Sequence, residues 1–213
     1  KELNEFAEIL EDYPSTYVLS DEIYEHIIYK EKHFSFANLP NMFDRTITVN
    51  GLAKAFSMTG WRIGYIGAPE FIAKACNKFQ GQITSAANCI AQRSAITALK
   101  APVSNIKYMI DEFSSRKELI FDLISKIPGF KLLKPSGAFY LFPDISFYFG
   151  KLIRGKIINN ANDFAMIILE EANVATVSGD SFGNKNCLRI SYAASKEEII
   201  EAVSRIKNLL ANN

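Results

Sequence analysis

Thr46-Ile47-Thr48-Val49-Asn50-Gly51-Leu52-Ala53-Lys54-Ala55-Phe56-Ser57-Met58-Thr59-Gly60-Trp61-Arg62-Ile63-Gly64-Tyr65-Ile66-Gly67-Ala68 is the stretch on which the reading of this chain turns. Thr46–Asn50 is β-branched and apolar enough for a strand, and Gly51 ends it. Ile63–Ala68 reads as a further strand, after which Pro69-Glu70 opens a helix carrying Phe71, Ile72 and Ala75. Upstream, Leu3, Phe6, Ala7 and Leu10 share one helical face, and Tyr13-Pro14 closes that helix. Tyr17–Asp21 then reads as a buried strand that turns polar at its carboxyl end. Near-continuous apolar strands alternating with helices predict a parallel or mixed sheet covered on both faces.

The second half has a different texture. Ile106, Met109, Ile110, Phe113, Ile120, Ile124 and Ile127 make one stripe of a long helix, closed by Pro128-Gly129. Strands are expected at 130–133 and 138–142 around the turn Pro135-Ser136-Gly137, then a helix over 161–173 with Phe164, Ala165, Ile168 and Leu169 inward. Strands at 174–177 and 187–192 follow. The last helix opens on a capping box, Ser195 with Glu198, stapled by Ala194 and Ile199. This order makes a small α+β unit, with a boundary near Ala101-Pro102.

Composition narrows the function. The 213 residues are 48% hydrophobic and 22% charged, the make-up of a globular chain, which excludes disorder, collagen and a disulfide scaffold. Lys+Arg 24 against Asp+Glu 23 leaves a net charge of +1, so no strong field recruits nucleic acid or an anionic membrane surface. Apolar runs are too short to span a bilayer, and Lys1-Glu2-Leu3-Asn4-Glu5 does not start a signal peptide. The absence of an initiator Met is compatible with truncation or processing. Cys76, Cys89 and Cys187 have no metal-site spacing and read as buried, reduced thiols of a cytosolic protein; His26 and His33 are poor material for a metal site.

Four places could carry chemistry. Lys54 follows a strand among small and apolar residues, where burial would favour the neutral amine that a Schiff-base nucleophile requires, or where a lysine simply snorkels at a strand end. Arg62 could grip a phosphate bidentately, with Gly60 and Gly64 permitting close backbone approach, or serve an ordinary ion pair. Asp21 stands at a strand's carboxyl end, where open α/β sheets bind ligands, with Tyr24 three residues on; the alternative is a turn aspartate beside a half-exposed tyrosine. Arg189, inside the apolar strand Leu188-Arg189-Ile190-Ser191-Tyr192, needs an anionic partner, either a protein carboxylate or a substrate carboxylate.

Asp21-Glu22-Ile23-Tyr24, Gly51 through Tyr65, Pro135-Ser136-Gly137-Ala138-Phe139-Tyr140 and Leu188 through Ala193, in this order, closely resemble the class I pyridoxal-phosphate aminotransferases, most of all bacterial aspartate aminotransferases. The resemblance implies an α/β fold: residues 1–102 as the C-terminal part of a fold-type I large domain, with a mostly parallel sheet and flanking helices, and 103–213 as a small α+β domain. It implies transamination between an amino acid and a 2-oxo acid, foremost aspartate and 2-oxoglutarate, with pyridoxal 5'-phosphate as cofactor. By the same resemblance Lys54 is the Schiff-base lysine and proton shuttle, Asp21 pairs with the pyridine nitrogen, and Tyr24 hydrogen-bonds the ring oxygen. Arg62 then holds the phosphate, Arg189 grips the substrate α-carboxylate, and Phe139 lies beside the substrate pocket or in the core.

The likeness also implies a cytoplasmic homodimer without metal, membrane or nucleic-acid partners. Family members are about twice as long, so part of the cofactor cage is expected outside this chain. Gly51 and Ala53 stand where many relatives offer a hydroxyl for the phosphate. Other reactions on the same fold (aromatic or prephenate transamination, lyase or decarboxylase chemistry) retain the same residues, as does a non-catalytic sensor domain.

Overall fold

The computed structural model describes residues 1–211. The chain divides into two compact units, Lys1–Tyr108 and Met109–Asn213. The first opens with α1 (Glu2–Glu11), followed by the strands β1 (Val18–Asp21), β2 (Thr46–Gly51) and β3 (Gly64–Gly67) and the helices α2 (Glu70–Ile83) and α3 (Cys89–Lys100). The strands form one sheet in the order β1-β2-β3. β1 and β2 are parallel, with Val18 opposite Thr46 and Asp21 opposite Val49; β2 and β3 are antiparallel, with Gly51 opposite Gly64.

The sheet is therefore mixed, and it is not covered on both faces as the strand composition predicts. Leu19 is 68% exposed, every residue of β3 is exposed, and α2 buries none of its residues. Among the described residues β1 and β3 each pair with β2 alone, and apolar side chains that read as burial in sequence are exposed here. Only Ala7 of the first helical face is buried, and it packs with Phe36, Leu39 and Met42, supported by Leu10 and Val18. Those three residues come from the segment between β1 and β2, which carries short 3-10 turns. Arg45 fastens this segment to the end of α1 and the turn after it, donating to the carbonyl oxygens of Leu10 (2.9 Å), Tyr13 and Thr16 (2.8 Å).

The sequence reading passes over α3, yet its start is marked. Asn88 Oδ1 accepts from the backbone N–H groups of Ile90 (2.9 Å) and Ala91 (3.1 Å), and Ala91 and Ala95 bury one face four residues apart.

The second unit comprises α4 (Lys107–Ile124) from its third residue on, β4 (Tyr140–Leu141), β5 (Leu152–Ile153), β6 (Lys156–Ile157), α5 (Ala161–Ala172), β7 (Val177–Ser178), β8 (Leu188–Ser191) and α6 (Lys196–Ala211). Its sheet runs β4-β8-β7, all antiparallel. Phe164, Ile167, Ile168, Leu141, Ile145, Leu188 and Tyr192 are almost wholly withdrawn from water and form its centre. Tyr148 stacks on Phe164 with ring centroids 4.7 Å apart and donates its hydroxyl to the Pro128 carbonyl; burial pushes its pKa up to about 12. The capping box at α6 forms in both directions, Ser195 N–H to Glu198 Oε2 (2.9 Å) and Glu198 N–H to Ser195 Oγ (3.2 Å).

Two expectations need correction in this unit, and one hairpin is added. α4 ends at Ile124, and Ile127 is carried by a separate turn onto the Ile124 carbonyl. The predicted strand at 130–133 shrinks to a single bridge between Lys131 and Asp144. The unforeseen β5–β6 hairpin turns through Arg154 (φ 47°) and Gly155 (φ 77°), the pair of positive φ values that a tight two-residue hairpin requires. Of the cysteines only Cys187 is buried; Cys76 and Cys89 lie on exposed helix faces. Among the described residues no helix is long and apolar enough to cross a membrane.

Candidate functional site

Strand direction assembles the first group of candidate residues. β1 and β2 run the same way, so Asp21 and Gly51 close their strands at the same sheet edge, and antiparallel β3 begins there at Gly64. Asp21, the turn holding Lys54 and the approach to β3 holding Arg62 thus emerge at the carboxyl edge of one sheet, where open α/β sheets receive ligands. The edge is tightly closed. A Cβ on Gly51 would lie 3.2 Å from Gly64 Cα, the Ile63 carbonyl oxygen and Ile23 Cδ1, and one on Gly64 would lie 3.1 Å from the Asn50 carbonyl oxygen. That close packing accounts for a bare glycine at position 51. Gly60, by contrast, has open space around it and plays no such part.

Asp21 is exposed, and one of its oxygens accepts from the Ile23 N–H (3.2 Å), the turn geometry weighed in the sequence reading. Among the described residues its other oxygen has no partner. Lys54 is half-buried rather than buried, in a tight turn where the N–H groups of Phe56 and Met58 both reach the Leu52 carbonyl. Tyr24 is half-buried in the turn after β1, its carbonyl accepting from Ile27.

Arg62 is exposed and held in the left-handed region (φ 53°, ψ 52°) immediately after the 3-10 turn Thr59–Trp61. A non-glycine residue there is strained and re-aims the chain into β3. Its Nη1 donates to the Thr59 carbonyl (2.8 Å), and its guanidinium borders an open cavity of about 830 Å³ shared with Ser57, Trp61, Gln80, Thr84 and Asn88.

Sequence reasoning overlooked Glu22, next to Asp21. Its side chain is almost fully buried and accepts from Ser20 Oγ (3.0 Å), Ser35 Oγ (2.7 Å) and His33 Nε2 (2.7 Å). Burial pushes this carboxyl up, but the hydrogen bonds from His33, Ser35 and Ser20 and the imidazole charge outweigh burial and hold it below its ordinary value. Glu25 joins Glu22 and His33 in a cluster whose ligand-type atoms lie within 4.8 Å of one another, but both Glu22 oxygens are already engaged by side chains.

Arg189 belongs to the second unit, on β8, and its environment differs from the expectation. Among the described residues no carboxylate pairs with it. Its guanidinium carbon instead lies 3.9 Å from the centroid of the Phe182 ring and 4.7 Å from that of Tyr140. Register explains Tyr140: it faces Ser191 across the β4–β8 pair, and Ser191 and Arg189 project on one face of β8. Phe139 is buried, stacks on Phe113 at 5.1 Å and has its ring 4.9 Å from that of Tyr140, a place in the core.

The chain thus joins an α/β unit with an amine, a carboxylate and a guanidinium on its sheet's carboxyl edge to a smaller unit that presents an arginine lying over two aromatic rings. The sequence profile described as aminotransferase class I and II matches residues 1–206, and the chain belongs to that family. It is 47% identical to a bifunctional aspartate aminotransferase and glutamate/aspartate-prephenate aminotransferase of Petunia hybrida, over 99% of this chain and 45% of the relative. It is 44% identical to an aspartate aminotransferase of Pinus pinaster, over 98% and 43%. The crystal structure of the Rhizobium meliloti aspartate aminotransferase superposes with a TM-score of 0.92 at 38% identity, over 96% of this chain and 52% of that one. An aromatic aminotransferase from Pyrococcus horikoshii gives 0.89 at 37% identity, over 99% and 55%. The chain spans about half the length of these relatives.

Proposed function

We propose that the protein to which this chain belongs is a pyridoxal-phosphate-dependent aminotransferase that exchanges an amino group between an amino acid and a 2-oxo acid, with aspartate and 2-oxoglutarate the preferred pair. The observation that carries the reading is the convergence of Asp21, Lys54 and Arg62 on one sheet edge. The donor set fits the cofactor: an amine for its aldehyde, a carboxylate for its ring nitrogen and a guanidinium for its phosphate. When bound, pyridoxal phosphate supplies a carbonyl carbon that amines attack and a ring that withdraws electrons from the substrate α-carbon.

The chain's residues have separable tasks. Lys54 Nζ would hold the cofactor through its aldehyde and, as a free amine, would take the proton from the substrate α-carbon and give it to the former aldehyde carbon, two atoms away. The unpaired Asp21 oxygen keeps a proton on the ring nitrogen, and the Tyr24 hydroxyl donates to the ring oxygen. Arg62 grips the phosphate with the donors that Thr59 leaves unused. Arg189 holds the α-carboxylate by its in-plane N–H edge. Because one amino acid must leave as its 2-oxo acid before the next substrate enters, the kinetics are ping-pong. Residues 1–102 serve as the C-terminal part of the cofactor-binding domain and 103–213 as the small domain. The complete protein is a cytoplasmic homodimer.

The test is the half-reaction. With L-aspartate alone, the holoenzyme should yield one equivalent each of oxaloacetate and pyridoxamine phosphate. Loss of carbon dioxide, or turnover without formation of the aminated cofactor, would replace transamination with another reaction of the fold.

A further inference from the structure

The two rings around Arg189 are built into position, and their placement bears on what that arginine can bind. Phe182 ends the 3-10 turn Gly179–Phe182 that directly follows β7. That turn lies so close to the start of β8 that a Cβ on Gly179 would fall 2.2 Å from the Asn184 carbonyl oxygen and 2.6 Å from that of Cys187. Gly183, at φ +83°, then lets the chain leave the turn. Phe142, two residues after Tyr140 and so on the same side of its strand, meets Phe182 edge to face at 6.4 Å, with the ring planes 89° apart. The turn's only carboxylate, Asp180, accepts from Ser178 Oγ (2.7 Å), and among the described residues it forms no ion pair with the arginine.

A guanidinium is flat and weakly hydrated over its faces, while its five N–H bonds lie in the plane. Rings stacked on the faces stabilise the charge without using a donor. A protein carboxylate would use the donors and compete with an incoming anion. The arrangement around Arg189 has the rings and lacks the carboxylate.

We propose that Tyr140 and Phe182 are positioning residues which clamp Arg189 by its faces, so that its N–H edge stays oriented and unsatisfied until a substrate carboxylate fills it. The inference rests on the function proposed above and adds to it that carboxylate affinity depends on two aromatic side chains that need not touch the substrate.

The test uses the holoenzyme of the complete protein and single-turnover half-reactions with L-aspartate, which separate the apparent Kd from the limiting rate. Phe182→Leu and Tyr140→Leu should each raise Kd about three- to tenfold, the loss of one stacked face, with a much smaller fall in the limiting rate. Phe182→Tyr and Tyr140→Phe, which keep the rings, should restore Kd to within about twofold. Arg189→Lys should weaken binding by itself, and Phe182→Leu should add nothing in that background. If Arg189→Lys leaves Kd unchanged, the proposed function is wrong at that residue and the clamp falls with it. If Arg189→Lys weakens binding while both leucine variants bind normally, only the clamp is refuted. A fall in limiting rate that matches the rise in Kd, accompanied by a lower unfolding midpoint, would make the rings merely structural and equally overturn the proposal.

Discussion

Replacing Glu22 by Gln tests whether the buried carboxylate beside Asp21 organises the exit of β1. Three side chains donate to it, two of them at 2.7 Å, and a neutral amide can accept at only one of its two terminal atoms. Hydrogen bonds to a charged group contribute about 1.5–3 kcal/mol each, so a loss of about 2–3 kcal/mol at neutral pH is expected once the amide's remaining bonds are allowed for. The dependence on pH has a fixed sign. The folded carboxyl is held below its ordinary value of 4.5, so the unfolded chain takes up the proton first as pH falls. The stabilisation is whole above the ordinary carboxyl range and drains away as pH drops through 4.5 and then through the lower folded value. The variant has no such group, so its disadvantage should shrink toward pH 3. Trp61, the only tryptophan, lies in the first unit, so its fluorescence during urea unfolding reports on that unit. At about 1–3 kcal/mol per molar urea, the expected cost moves the midpoint down by about 1–2 M at pH 7. An unchanged midpoint, or a gap that stays constant from pH 7 to 3, would refute the reasoning.

Two further substitutions probe the frame. Gly179→Ala sets a methyl group against two backbone carbonyls that cannot swing aside, and should cost about 3 kcal/mol or more, read as a fall in the unfolding midpoint of the second unit by circular dichroism. Arg45→Met keeps the stem but removes the donors that hold the last turn of α1; a loss of about 1–2 kcal/mol is expected, with faster amide exchange confined to α1 and the segment before β2.

Much of this was legible in sequence because local chemistry fixed it. The Ser195–Glu198 box formed as expected, since a hydroxyl and a carboxylate three residues apart at a helix start have one another's backbone N–H within reach. Asp21 and Lys54 were marked by strand ends and Arg62 by the approach to a strand start, and the parallel β1–β2 and antiparallel β2–β3 pairs then collected them. What escaped depends on partners distant in sequence. The apolar run of β1 reads as buried, but burial is decided by what lies over it, and Leu19 is 68% exposed. The surroundings of Arg189 follow from a diagonal across β4–β8 and from a turn packed on a glycine, neither visible along the chain. Glu22 was hidden because its donors His33 and Ser35 lie eleven and thirteen residues on, in a segment with no periodic signal.

The role given to Lys54 is tested most directly by incubating the complete protein with pyridoxal phosphate, reducing with borohydride and mapping the labelled peptide by mass. A single pyridoxyl group on Lys54 is the predicted result. Label on another lysine, or none, would contradict it.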